Sequence, residues 1–222
     1  MSQSTVTSQP LAMSHNGAVM PRSDDVDEPL GALDARLRKD LQTDLAALQA
    51  EVGTTFVYVT HDQEEALTMS HRLAVMDDGR VAQVGTPVEV YERPATAYVA
   101  DFLGVANLLA AAGEPCGGGR CVVRLGEFAL DAQGDGPSGP VKLVIRPERV
   151  RVTPGEASGP NCVPGMVERV VYVGSTTQIH VRLPGGEAVQ SLTASTGDIP
   201  DWPAGTPVGV TLPADALRAL PA

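Results

Sequence analysis

Three short pieces of the chain hold residue types that can do chemistry together. They are Asp27-Glu28-Pro29-Leu30, Gly31-Ala32-Leu33-Asp34, and Tyr58-Val59-Thr60-His61-Asp62-Gln63-Glu64-Glu65-Ala66. A carboxylate held near a phosphate can accept the proton of an attacking water. An imidazole is small and can donate to a phosphate oxygen, and a strand end would fix its position. Each piece also has a plainer reading. Asp27 and Glu28 stand in an acid-rich run, Asp24-Asp25-Val26-Asp27-Glu28, and could be solvated acids. Asp34 could simply cap a helix. A lone His after a strand is usually structural or exposed, and His71 and His180 are read in that way. Glu64 and Glu65 read as a solvated helix face with a cap.

The lysines limit what phosphate chemistry is possible. Only Lys39 and Lys142 occur in 222 residues, in Arg38-Lys39-Asp40 and Val141-Lys142-Leu143. A P-loop needs G-x-x-x-x-G-K-[ST], because backbone amides cradle the phosphates while the lysine neutralises them. Neither lysine has that setting, so these residues bring no P-loop. The formal net charge of -11 argues against a general nucleic-acid binder, which needs a positive surface. No stretch approaches the roughly 20 apolar residues of a membrane span, and the polar N-terminus does not read as a signal peptide. Cys116, Cys121 and Cys162 form no zinc-spaced set and read as reduced thiols. A cytoplasmic location is expected.

Several elements must position the three pieces. Leu33, Leu37, Leu41, Leu45, Leu48 and Val52 repeat by four and three, which predicts an amphipathic helix with a core-facing stripe. Asp34 is placed to cap its start and Gly53 to end it. Thr54–Val59 is β-branched and aromatic and reads as a buried strand ending at His61. Asp62 opens a short helix, with Glu65 three positions on as in a capping box. Asp77-Asp78-Gly79 predicts a hairpin between strands at Arg72–Met76 and Arg80–Val84. Thr86-Pro87 opens another helix, and a further one is expected near Thr96–Leu103. Composition then changes: only 6 of the 23 glycines and 5 of the 18 prolines precede residue 111. Strands are expected near Cys121–Leu125, Val141–Ile145, Met166–Val173, Gln178–Leu183, Ala188–Leu192 and Val208–Leu212, which suggests a small barrel.

Taken in order, D-E-P-L-x-x-L-D, an amphipathic helix and a strand ending T-H-D-Q-x-E-A closely resemble the C-terminal half of ABC-transporter ATPase domains. Arg72-Leu73-Ala74-Val75-Met76, Gly79-Arg80-Val81, Gln83-Val84-Gly85-Thr86-Pro87 and Tyr91-Glu92-Arg93-Pro94 continue the resemblance. The wording is nearest to importers of the polyamine, maltose and iron type, polyamine importers above all. Ile145-Arg146-Pro147-Glu148 resembles the OB-type regulatory (TOBE) domain that follows the ATPase there. The implied fold class is an α/β C-terminal part of an ABC ATPase domain followed by a small all-β OB-like barrel. The implied division is a disordered lead over 1–26, ATPase part over 27–109 and OB-type domain over 110–222. The resemblance implies ATP and Mg²⁺ as cofactors. It gives Asp27 a water-mediated hold on Mg²⁺, Glu28 the polarisation of the attacking water, Asp34 a bridge at the dimer interface, and His61 a contact to the γ-phosphate. It implies permease subunits at the inner membrane and a second ATPase subunit as partners, with the chain peripheral on the cytoplasmic face.

The chain also departs from the family. Ser23-Asp24-Asp25-Val26 replaces the hydrophobic strand expected before the Asp-Glu pair, and the LSGGQ-type signature is absent. The lead reads as unrelated sequence joined before Asp27, as in a truncated subunit. Without a P-loop or signature, little or no ATP hydrolysis is expected from this chain, alone or as a homodimer. Missing sheet neighbours should leave apolar edges exposed. The alternative is a non-enzymatic regulatory or assembly module that docks on an intact ATPase subunit or binds an effector.

Overall fold

The computed structural model describes residues 35–114, 118–134, 139–197 and 200–221. Helix α1, Ala35–Val52, comes first. Gly53 ends it with φ +67° and an amide donating to Gln49 O at 2.9 Å, the left-handed stop that glycine adopts without penalty. The expected core stripe is only partly so. Leu41 and Leu45 are half-buried, whereas Leu48 and Val52 are 47% and 57% exposed. Among the described residues, α1 packs chiefly on the short helix α2, Gln63–Met69, which is too small to cover it.

The expected strand at Thr54–Val59 is absent. The segment is irregular, and Val57 and Val59 are 88% and 82% exposed. A strand exists only through hydrogen bonds to a neighbour, and no described strand lies beside it. Beyond α2 the expectations hold. Strands β1, Leu73–Asp77, and β2, Arg80–Gly85, form a two-stranded hairpin. Asp78 and Gly79 both take positive φ, 45° and 73°, which suits the two-residue turn to the twist of the strands. Helix α3, Pro87–Glu92, starts with a full capping box between Thr86 and Glu89. Helix α4, Ala97–Phe102, is capped by Thr96. Leu73, Val75, Val90, Val99 and Leu103 form a small core between the hairpin and the two helices.

The remainder is almost entirely strand. Strands β3 (Asn107–Gly113), β4 (Arg120–Leu125), β5 (Phe128–Gln133), β6 (Gly139–Ile145) and β12 (Arg218–Pro221) close a five-stranded barrel in the order β12-β5-β4-β3-β6. Strands β7 (Arg151–Pro154), β8 (Cys162–Val173), β9 (Thr176–Arg182), β10 (Ala188–Ala194) and β11 (Pro207–Thr211) form a second sheet ordered β10-β9-β8-β11-β7. Strict alternation in β4 buries Cys121, Val123 and Leu125 inside the barrel. One core runs through both sheets and includes Leu143 and Ile145 of the barrel with Val163, Val181 and Val210 of the second sheet. Gly165 of β8 is required there, because a Cβ would collide with Val181 and press on Val210.

Polar side chains join the sheets where no ladder can. Asn107 of β3 is 6% exposed and clasps the backbone of Gln190 in β10. Its Nδ2 donates to Gln190 O at 2.8 Å and its Oδ1 accepts from Gln190 N at 2.7 Å. Asn161 does the same for Asp131, at 2.8 and 2.7 Å, and also donates to Leu212 O. Each Asn amide stands in for a missing strand neighbour.

Arg146 ties the helices to the barrel. It follows β6 on the outer face and is 5% exposed. Its Nη1 donates to Ala100 O at 2.8 Å and, at 3.4 Å, to the carbonyls of Gly104 and Val105. Its Nη2 donates to Tyr91 O at 3.2 Å, and the guanidinium lies 3.9 Å from the centre of the Tyr91 ring. Tyr91 is held in turn by Glu148, at 2.9 Å. The acceptors lie at or after the ends of α3 and α4, where carbonyls lack helical partners and carry partial negative charge. Burial lowers the guanidinium's hold on its proton, and Tyr91 and Glu148 oppose that shift. Ala100, Val144 and Leu220 add an apolar seam beside it.

Two stability measurements check these joints. Asn107→Ala strands a buried amide and carbonyl of β10 and should cost about 1–3 kcal/mol in chemical denaturation. Arg146→Met removes the fork and the ring contact and should cost about 2–4 kcal/mol, with Arg146→Lys recovering only a minor part because an ammonium lacks the planar fork.

Candidate functional site

The segment Tyr58–Glu65 is the best-built polar cluster in the helical part. Asp62 precedes α2 in extended conformation, and its Oδ1 accepts from the amides of Glu64 and Glu65 at 2.8 and 3.1 Å. The second half of the expected capping box is replaced. Glu65 turns inward, is 4% exposed, and its Oε2 accepts from Tyr58 Oη and Thr60 Oγ1, both at 2.8 Å. The expectation of a solvated Glu64–Glu65 face therefore holds for Glu64, which is exposed, and fails for Glu65. A buried carboxylate needs donors, and two hydroxyls N-terminal to the helix supply them. Thr60 Oγ1 also accepts from the Asp62 amide at 2.9 Å.

His61 sits at the turn between Thr60 and Asp62 and is exposed. Its two chain neighbours are both fixed by the bonds just described, so its backbone is held although the preceding residues form no strand. Asp27, Glu28 and Asp34 lie outside the described residues. So does Cys116. His61 is thus the one proposed site residue the structure places. Sequence reasoning missed Tyr58 and Thr60 as Glu65's donors. The signal available was an acid at N3 of a helix three residues after its cap, with hydroxyl residues just upstream.

The arrangement can present an imidazole rigidly. It does not fit a phosphate group by itself. The amides of Glu64 and Glu65 in the first turn of α2 are taken by the Asp62 carboxylate. Residues 54–71 contain no Lys or Arg, while Asp62, Glu64 and Glu65 supply negative charge. Among the described residues, no group of three or more His, Cys, Asp or Glu side chains could hold a metal ion. No helix of the described residues is long and apolar enough to cross a membrane.

The cluster links to the rest of the chain through α2. Its Leu67 packs against the core of Leu73, Val75, Val90, Val99 and Leu103, and Arg146 holds the ends of α3 and α4 in turn. Tyr58 gives a pH test. Burial first, then the Glu65 carboxylate, raises its hydroxyl from 10.0 to about 12. A raised folded-state value means this contribution to stability is complete below pH 10 and is lost as the pH climbs toward about 12. Tyr91 is raised to about 12 for like reasons and adds to the same window. Tyr58→Phe should therefore flatten part of the alkaline fall in stability, measured by denaturation at stepped pH.

The TOBE domain family matches residues 143–220. The spermidine/putrescine import ATP-binding protein PotA of Mesorhizobium japonicum is 42% identical over 219 residues, covering 96% of this chain and 58% of its own length. The protein of that name from Rubrobacter xylanophilus is 52% identical over 167 residues, 72% of this chain and 44% of its own. That from Ruegeria pomeroyi is 40% identical over 216 residues, 96% and 58%. The chain thus spans about half the length of the curated relatives it matches. The two alignments covering 96% reach into the N-terminal lead, which the sequence reading had set apart as unrelated. The solved molybdate-binding protein ModG superposes with a TM-score of 0.41 and 14% identity over 52% of this chain and 96% of its own, which fixes neither fold nor ligand. Residues 143–220 match the TOBE domain family, and the chain as a whole is similar to the C-terminal part of ABC-transporter ATP-binding subunits of the spermidine/putrescine import type.

Proposed function

We propose that this chain serves as the C-terminal part of the ATP-binding subunit of a polyamine importer, coupling its His61 turn to a TOBE barrel. The observation that carries this reading is the path from the THDQEEA turn through α2, whose Leu67 packs on the core of the hairpin, α3 and α4, to Arg146 and the barrel. In a working importer the subunit is peripheral on the cytoplasmic face and contacts permease subunits. Asp27 would hold Mg²⁺, Glu28 would polarise water, Asp34 would bridge to a second subunit, and His61 would meet the γ-phosphate. ATP supplies the energy of transport when bound. These 222 residues hold no P-loop, and residues 54–71 around His61 carry no Lys or Arg, so no hydrolytic step is assigned to this chain alone.

One observation favours a second reading, a non-enzymatic module that docks on an intact ATP-binding subunit. Phe56, Val57, Tyr58 and Val59 are 40–88% exposed in a row. Such a patch suits a protein partner.

Phosphate release from Mg-ATP by the purified chain separates wild type from His61→Ala if the site is self-sufficient. No difference is expected, with both at background. Clear turnover lost in His61→Ala would overturn the proposal that hydrolysis needs groups from elsewhere. Capture by polyamine permease subunits in detergent tests the transport role, and absence of capture would count against it.

A further inference from the structure

The segment Thr54–Thr60 has the composition of a strand and no strand beside it. Among the described residues, the backbone amides and carbonyls of Thr55–Val59 make no hydrogen bond. The exposures of Phe56, Val57, Tyr58 and Val59 still alternate, at 49%, 88%, 40% and 82%. That is the period of a strand with one face turned to its own chain. Tyr58 and Thr60 show why, since Glu65 of α2 holds both hydroxyls. Val57 and Val59 therefore stand in water beside an open row of donors and acceptors. Uncharged β-rich runs of this length without proline, exposed in this way, pair with other strands.

The sequence indicates which strand fits. By residue class, Thr54-Thr55-Phe56-Val57-Tyr58-Val59-Thr60 reads alike in both directions, with threonine at its ends and an aromatic on either side of Val57. A two-fold contact needs a patch that complements itself. Two copies laid antiparallel about Val57 set Phe56 opposite Tyr58 of the second copy, Thr55 opposite its Val59, and Thr54 opposite its Thr60. Aromatic and threonine pairs are among the cross-strand contacts that stabilise a sheet. A slip of one residue would set the aromatic rings opposite β-branched residues and turn the two inner faces apart. The Thr60 ends of the two copies, each leading into α2, then lie about 20 Å apart along the ribbon, which leaves room for both helices. Residues 52–60 carry no charge, so two chains of net charge -11 meet where neither repels the other locally. Leu48 and Val52, exposed on the last turns of α1, border the start of the segment, where Gln49 Nε2 donates to Thr54 O at 3.0 Å.

We propose that two copies of this chain associate by antiparallel pairing of Thr54–Thr60 about a two-fold axis at Val57. The contact uses neither Asp34 nor the barrel. It takes the patch that the second reading offers to an ATP-binding subunit and gives it to a second copy, and it depends on neither reading of function. Seven residues a side fall short of the roughly 20–30 of a standard interface, so the dimer is weak and concentration-dependent.

Sedimentation equilibrium of the full 222-residue chain tests the pairing. A monomer–dimer equilibrium is expected, and sodium chloride should strengthen it, because screening relieves repulsion between two acidic bodies. Val57→Lys sets like charges opposite each other and should weaken the dimer about tenfold or more. At an 88% exposed position it should leave the circular dichroism of the chain unchanged. Val88→Lys, on exposed α3, should leave the dimer intact. Under a mild oxidant, Val57→Cys should give a disulfide-linked dimer that the wild-type chain does not, because facing Cα atoms lie within disulfide reach. Val59→Cys should not, since the two copies of that position lie roughly 13–14 Å apart along the ribbon. A chain that stays monomeric across the micromolar range, a dimer that survives Val57→Lys, or one that salt dissociates overturns the proposal. Equal cross-linking of Val57→Cys and Val59→Cys overturns the two-fold register.

Discussion

A single buried cation decides how the two parts of this chain meet. The carbonyls that end α3 and α4 lack helical partners and face the barrel's outer side. Arg146 answers both needs with one planar group, reaching Tyr91, Ala100, Gly104 and Val105 while stacking on the Tyr91 ring. The cost is desolvation of a guanidinium, which carbonyl dipoles and the ring quadrupole offset only in that geometry. Lysine could not supply it. This explains why the motif Ile145-Arg146-Pro147-Glu148 works as a unit. Ile145 enters the barrel core, Arg146 turns out to the helices, Pro147 starts the tight turn, and Glu148 fixes Tyr91.

The helical part obeys a different constraint. Its residues are written for a sheet, yet among the described residues Thr54–Val59 has no strand to pair with. The same six residues that read as buried therefore lie exposed, and the stripe on α1 goes half-covered. What remains ordered does so through local polar bonds. Asp62 caps α2, and Glu65 gathers Tyr58 and Thr60. A turn of this kind keeps its shape without a sheet behind it, because its bonds span no more than seven residues.

Much of the architecture was legible where local chemistry specifies it. Gly53, Asp78-Gly79 and Thr86-Pro87 mark backbone positions that only a few residue types satisfy, and each forms the stop, turn or cap expected. Strands rich in β-branched residues, such as β6 and β9, were readable for the same reason. β3 was not, since Leu108-Leu109-Ala110-Ala111-Ala112 has the composition of a helix and becomes a strand only by pairing with β6 along its whole length. β7 and β12 are four residues long and end in proline, so little periodicity marks them. In the candidate site, His61 stood out by its motif. Glu65 as a buried acid, and Arg146 as a tie between helices and barrel, depend on contacts made across the fold, 46 residues apart in the case of Arg146 and Ala100.

Native-state amide hydrogen exchange tests the Arg146 tie most directly, because it reports which segments open together. If the guanidinium joins α4 to the barrel, the Leu103 amide, bonded to Val99 O at 3.2 Å, should exchange with the same opening free energy as amides of β6, and should be freed from it in Arg146→Met. Exchange of α4 at fraying rates in the wild-type chain, while β6 stays protected, would contradict the tie.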